Sequence, residues 1–253
     1  MMSFPSKDEK CDFILIMYNT NVGDLITEKL MLSLNLIGGY ICMPNTFTVE
    51  DNPKSYFYDA KFDEATLMDG LKRFDISTGF ATFKSSGKFE YEIHFSGIKK
   101  DSGNVNFRLS DVEYSMVKEW YSLSSAMILI WKPDYAYAAP YWEQYERNEE
   151  YEKMMREKNF RKYGPDSFAI RTWLSYRLAS MINIEKLKDL GADVREIEGY
   201  GFEVDLLPEP WNMDFDHLIE QREKLNTVLS DAGIKGDYTK PYLPIAGPKW
   251  KGL

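Results

Sequence analysis

STGFATFKSSGKFEYEIHF, residues 77–95, carries the clearest structural signal in this chain. Phe89, Tyr91, Ile93 and Phe95 recur at every second position after a Ser-Ser-Gly break, and Phe80 and Phe83 precede it. Strand side chains change face at each residue, so period two predicts half-buried strands and the break predicts the turn of a hairpin. Val105 to Leu109 is apolar at alternate positions and is expected to pair as a third strand. Ser110-Asp-Val-Glu113 then has capping-box spacing, with Ser at the N-cap and Glu three residues on. It predicts a helix to about Ser124 with Val112, Met116, Val117 and Trp120 inward. The run AMILIW (126–131) is expected to be a buried strand closed by Lys132-Pro133-Asp134.

Upstream, DFILIMY (12–18) reads as a buried strand. Asp24 to Leu36 is helix or strand, ended by Gly38-Gly39. Residues 44–60, with two prolines and two asparagines, read as a loop, and residues 63–74 as a helix with Leu67, Leu71 and Phe74 on one face. Downstream, residues 138–162 read as a charged helix, acidic first and basic last in keeping with the macrodipole, and Gly164-Pro165 ends it. A strand over 171–178 and a short helix from Ile184 to Leu190, stopped by Gly191, come next. A second hairpin over Val194 to Leu207 turns at Gly199 to Gly201. The last helix starts near Asp214 or Asp216 and ends at Gly233, and residues 234–253 are expected to be an extended tail. The expected class is α+β: antiparallel sheet with helices packed on one side, in two similar hairpin–helix halves. We expect one domain over residues 1–253, with a possible subdivision near 132–166.

Composition narrows the function. The 253 residues carry 40 acids against 31 Lys and Arg, a net charge of −9, with 17 tyrosines, 15 phenylalanines and six tryptophans but only two histidines and two cysteines. Phosphate backbones attract basic patches, so nucleic acid is not the expected ligand. Cys11 and Cys42 are too few for a disulfide framework, which suits a cytoplasmic setting. The opening MMSFPSKDEKCDF has no apolar core of a secretory signal. The longest apolar stretch, Leu30 to Met43, is broken by Ser33, Asn35, Gly38 and Gly39, so no membrane span is expected. Charge is also uneven: Glu185 to Lys224 holds twelve acids and five bases. Such a run is either a solvated face or one that steers a basic partner.

Residues able to carry chemistry are sparse. His94 alternates with Ile93 and Phe95 on a strand, His217 opens the last helix, and neither has a second histidine at metal spacing. Glu92 and His94 form the only acid–histidine pair at i, i+2. Nucleophile-elbow and phosphate-loop motifs are missing, and both cysteines read as inert thiols. No cofactor is expected. The pairs Glu196/Glu198 and Glu203/Asp205 each sit at i, i+2 on the second hairpin, so each projects from one sheet face. They are solvated surface, a ligand for a partner's arginine or lysine, or, last, a catalytic pair. Aromatic grouping is more distinctive. Tyr135, Tyr137, Tyr141, Trp142 and Tyr145 fall close together, followed by Glu143, Glu146, Glu149 and Glu150. Rings flanked by acids are either core or the hot spot for a basic partner. Phe47, Tyr56, Phe57 and Tyr58 with Glu50 and Asp51 form a second such group.

Three segments resemble bacterial immunity proteins that accompany polymorphic and type VI-delivered toxins, the Imm52 and DUF3396-type families. They are RLSDVEYSMVKEW (108–120), PDYA (133–136), and RTWLSYRL (171–178) with LKDLGADVREIEGYGFEVDL (187–206). The resemblance implies an α+β fold, no catalysis, and a cognate protein toxin bound inside the producing cell. Such toxins are often basic nucleases, which an acidic neutraliser suits. It supplies no site residues. From the residues themselves, the expected toxin-binding surface is Glu143, Glu146, Glu150, Tyr141 and Trp142, with Glu50, Asp51 and Tyr56 second, on a monomer or homodimer. The competing expectation is a carboxylate-dependent hydrolase using Glu92 with His94 or Glu203 with Asp205.

Overall fold

The computed structural model describes residues 10–20, 26–41, 43–51, 56–61, 63, 65, 80–86, 90–96, 103–141, 160–212, 215–239 and 243–252. The fold is α+β, with antiparallel strands and helices packed on them. The chain divides after Pro133 into two compact units.

The N-terminal unit contains β1 (Lys10–Thr20), α1 (Ile26–Tyr40), β2 (Thr46–Asp51), β3 (Tyr56–Lys61), β4 (Phe80–Ser86), β5 (Glu90–Ser96), β6 (Gly103–Glu113) and α2 (Val117–Trp131). Its strands lie in the order β3-β2-β4-β5-β6-β1, each antiparallel to its neighbour. The quoted hairpin is β4 and β5, with Phe83 opposite Ile93. Register aligns one apolar row across five strands: Phe47, Phe83, Ile93, Phe107 and Leu15, all fully buried. That row explains why period-two side chains set the fold: each buried ring packs on a cross-strand neighbour.

Helix α2 seals the sheet with Trp120, Tyr121, Ser124, Met127, Ile128 and Trp131, a buried stripe at helical spacing. Tyr121 meets Phe13 of β1 edge to face at 5.1 Å. Trp131 donates its indole N–H to Ser33 of α1 at 2.8 Å, tying the two helices together.

Four sequence expectations in this unit are corrected. AMILIW is not a strand but the last turns of α2; nothing between Ser124 and Ala126 breaks the helix, and its apolar run is the helical stripe plus the exposed Leu129. Ser110 does not cap that helix. Strand β6 continues to Glu113 through a left-handed Asp111 (φ 58°), whose amide donates to Asp12 Oδ1. Gly38 and Gly39 lie inside α1. Residues 44–60 are not a loop but contain β2 and β3: Pro44 precedes β2, which pairs with both β3 and β4. The helix expected over 63–74 lies largely outside the described residues.

The C-terminal unit contains β7 (Tyr135–Tyr141), α3 (Phe160–Tyr163), β8 (Arg171–Ser175), α4 (Tyr176–Ala179), α5 (Ile184–Asp189), β9 (Asp193–Ile197), β10 (Gly201–Asp205) and α6 (Phe215–Ala232), with strand order β7-β8-β10-β9. Residues 138–141, expected to open a charged helix, instead complete β7. Tyr135 to Ala138 pair with Arg171 to Leu174, and small alanines fit this buried strand. Strand β8 stops at Ser175, whose hydroxyl accepts from Leu178 N and so caps α4. Helix α5 ends before Gly191, which adopts φ +95°, and α6 ends before Gly233 at φ +73°, as their glycines predict. The closing segment packs on this unit. Gly236 donates to Pro165 O, Lys249 donates to Gly233 O, and Trp250 is buried 5.3 Å from Phe160.

Candidate functional site on the acidic hairpin

The second hairpin sorts its carboxylates by register. Glu203 lies opposite Trp173 and Arg195, and Asp205 opposite Arg171 and Asp193. These six side chains therefore share one face of the β8-β10-β9 sheet. Phe202 lies opposite Leu174 and Glu196, so Glu196 is on the other face.

The first face is a buried ion network. Arg171, 4% exposed, grips Asp205 with two parallel bonds: Nε to Oδ1 at 2.6 Å and a terminal nitrogen to Oδ2 at 2.7 Å. Arg195 reaches in from β9 to Asp205 Oδ2 at 2.5 Å and Glu203 Oε1 at 3.0 Å. Trp173 donates to Glu203 Oε2 at 2.8 Å, and the Arg171 guanidinium lies 5.7 Å from the Trp211 ring centroid. Burial pushes the Asp205 carboxyl above its ordinary value, while Arg171 and Arg195 pull it down. All four carboxylate oxygens are engaged by these partners. Glu203 and Asp205 are thus held within the sheet by neighbouring side chains.

The second face is buried at Val204, Thr172 and Leu174 and exposed at its Glu196 end, which is different in kind. Tyr176, the first residue of α4, is 43% exposed and donates its hydroxyl to Glu196 Oε1 at 2.7 Å. Its ring meets half-buried Phe202 edge to face, 5.9 Å between centroids at 86°. Glu196 and Glu198 are exposed, and Met181 beyond α4 is 37% exposed. The Glu196 hydrogen bond raises the Tyr176 phenol above its ordinary value, with burial and the charges of Glu196 and Glu198 adding to it. The result is an aromatic pair rimmed by two carboxylates, one of them fixed. Backbone geometry holds it there: Tyr176 N donates to Tyr200 O at 3.0 Å, and Ser175 bonds Asp134 through both N and Oγ.

Of the surface read from sequence, Trp142, Glu143, Glu146 and Glu150 lie outside the described residues. Tyr141 is the last residue of β7, Glu50 and Asp51 end β2, and Tyr56 begins β3. The pairing Asp51↔Tyr56 and Glu50↔Phe57 brings that second group into one hairpin. Sequence reading weighed Glu196/Glu198 but missed Tyr176 and Phe202, because α4 begins where a strand was expected to continue.

Glu92 is half-buried on β5, opposite Lys84 and Arg108, and His94 is opposite Thr82 and Asn106. Among the described residues, no group of three or more His, Cys, Asp or Glu side chains could hold a metal ion. No helix among them is long and apolar enough to cross a membrane. A cleft of about 340 Å³ lies beside the closing segment, lined by Asp166, Ser230, Lys235, Asp237, Tyr238 and Thr239 among others. Cys11 is buried, and burial, with Asp12 adding, pushes its thiol up to about 12. With Cys42 replaced by serine, Cys11 is expected to resist a thiol-reactive dye at about pH 8, where an ordinary thiol is partly ionised, and to label fully in denaturant. Labelling of the native chain would mean that β1 opens.

No family model and no curated protein matches this chain. Among solved structures its fold is similar to that of the Pseudomonas aeruginosa T6SS protein PA0821, with a TM-score of 0.55 at 12% identity over 85% of this chain and 73% of that one.

Proposed function

We propose that this chain is a binding protein of a type VI secretion context, an immunity protein that neutralises a basic protein toxin in the cytoplasm without catalysis of its own. The observation that carries the reading is the exposed Tyr176–Glu196–Glu198 surface backed by half-buried Phe202, its acids drawn from the segment Glu185 to Lys224 with twelve acids and five bases. Acids steer a basic partner to the surface and aromatics hold it there. The fold shared with a T6SS protein adds support. Nucleases are natural candidates for the toxin, since proteins that hold phosphate backbones are basic. The acids and rings of 141–150, with Glu50, Asp51 and Tyr56, form the other proposed contact surface.

Co-expression of the untagged chain with a tagged toxin encoded beside it tests the reading. A stoichiometric complex and rescue of growth are expected. The association rate should fall about tenfold or more between ~0.05 M and ~0.5 M salt, as for a steered encounter. No complex and no rescue with any neighbouring gene product would overturn the immunity reading.

A further inference from the structure

We propose that the exposed turn end of the second hairpin is the seat of an arginine side chain from the basic partner, with Tyr176 as its platform and Glu196 and Glu198 as its counter-charges. The assignment rests on the reading above, that the partner is a basic protein. It goes further by naming which basic side chain the surface selects and where that side chain sits.

The argument is geometric and electronic. Tyr176 is 43% exposed, yet its orientation is fixed at both ends, by the 2.7 Å bond to Glu196 and by the edge-to-face contact with Phe202. Donating a proton toward a carboxylate makes a phenol ring more electron-rich, which strengthens its hold on a cation. A planar guanidinium both stacks on a ring and forks toward a carboxylate, whereas an ammonium is a compact, strongly hydrated point charge. Glu198 is exposed in the turn that follows β9, and its charge adds to the raised phenol of Tyr176. Glu196 spends one oxygen on Tyr176, leaving the other as an acceptor. The contrast with the opposite sheet face is instructive: there the same hairpin already holds two arginines with Glu203 and Asp205, one of them near an aromatic ring.

The test uses the full-length chain with two probes of equal charge, a hexa-arginine and a hexa-lysine peptide, each titrated by fluorescence anisotropy at low salt. The arginine peptide is expected to bind about threefold to tenfold tighter, the range of a cation–aromatic contact joined to a forked carboxylate bond. Tyr176→Ala should abolish that preference, and Tyr176→Phe, which keeps the ring, should retain part of it. Glu198→Gln should weaken both peptides. Glu119→Gln, an exposed acid on α2 of the other unit, controls for net charge and should leave the preference unchanged. Circular dichroism confirms that each variant folds. Equal binding of the two peptides, or a preference that survives Tyr176→Ala, overturns the proposal. If the toxin co-purifies equally well with Tyr176→Ala, the arginine seat fails while the immunity reading stands. If the preference holds and no toxin is captured, the immunity reading fails while the seat stands.

Discussion

Arg171→Met is expected to destabilise the C-terminal unit by about 3–5 kcal/mol, the cost of removing one partner from a buried ion pair. Methionine keeps the apolar stem, so the loss reports the charge rather than a cavity. Arg171 is the cation with two parallel bonds to Asp205 and a contact to Glu203 at 3.6 Å; without it, two buried carboxylates share the half-exposed Arg195. Urea unfolding followed by tryptophan fluorescence measures the effect. The sign with pH follows from the direction at Asp205, which burial raises above its unfolded value. A raised carboxyl binds its proton more tightly in the folded state. Its charged form therefore costs stability above that folded value, and the cost is relieved as pH falls toward the unfolded value. Removing Arg171 takes away a group that holds the carboxyl down, so the deficit should be largest at neutral pH and shrink toward acid. The double change Arg171→Met/Asp205→Leu should recover most of the loss, because an apolar pair of similar volume removes the charge and its desolvation cost together. A deficit below about 1 kcal/mol for Arg171→Met would mean that the network is solvated and contributes no more than a surface pair.

How much of this was legible beforehand depended on whether local pattern or distant pairing made the element. The β4–β5 hairpin, β6, the β9–β10 hairpin and α6 were readable because each carries its own period and its own stop signal. AMILIW was not, because six apolar residues fit a buried strand and a buried helical stripe equally well until their neighbours choose. Residues 44–60 were misread because β2 exists by virtue of β4, which lies more than thirty residues on. The acidic-then-basic charge over 138–162 predicted a helix, yet Ala138 pairs with Arg171 of β8 and residues 138–141 belong to β7.

The candidate site shows the same limit more sharply. Period two places Glu196 with Glu198 and Glu203 with Asp205, but it cannot say whether the two pairs share a face. That is set by the turn. Ile197 pairs with Gly201 across three intervening residues, so Glu196 meets Phe202 and not Glu203. A pairing shifted by one residue would have inverted the parity of one strand relative to the other and set Glu196, Glu203 and Asp205 on one face. The parity found sends Glu203 and Asp205 inward to two arginines and leaves Glu196 outward beside an aromatic pair, with Glu198 in the turn that follows β9. Charge counting on the sequence sees twelve acids in this segment; only the register distinguishes those that build the sheet from those left exposed.

The turn itself is the place to test that parity, and Gly201→Ala is expected to cost about 3 kcal/mol or more, combining backbone strain with overpacking. Gly201 adopts φ +155°, and a Cβ there would lie 2.0 Å from Leu174 O and 2.8 Å from Tyr176 N. Both are backbone atoms, so no side-chain rotation relieves the clash; β8 and β10 must separate. Tyr176 N is the donor to Tyr200 O, so the same separation pulls Tyr176 away from Phe202 and Glu196. Stability and partner binding should fall together, and the arginine preference of the peptide titration should fall with them. Gly199 supplies the control within the same turn. Its φ is +73° and a Cβ would meet nothing within 4 Å, so Gly199→Ala should cost only the left-handed strain of about 1–2 kcal/mol and leave the Tyr176 face in place. The comparison therefore separates a weakened turn from a displaced surface. If Gly201→Ala unfolds no more readily than Gly199→Ala, the close approach of β10 to β8 is wrong, and with it the placement of Tyr176 against Glu196. If Gly201→Ala is strongly destabilised but the fraction still folded binds the partner at full affinity, the turn holds the unit together while the contact surface lies elsewhere.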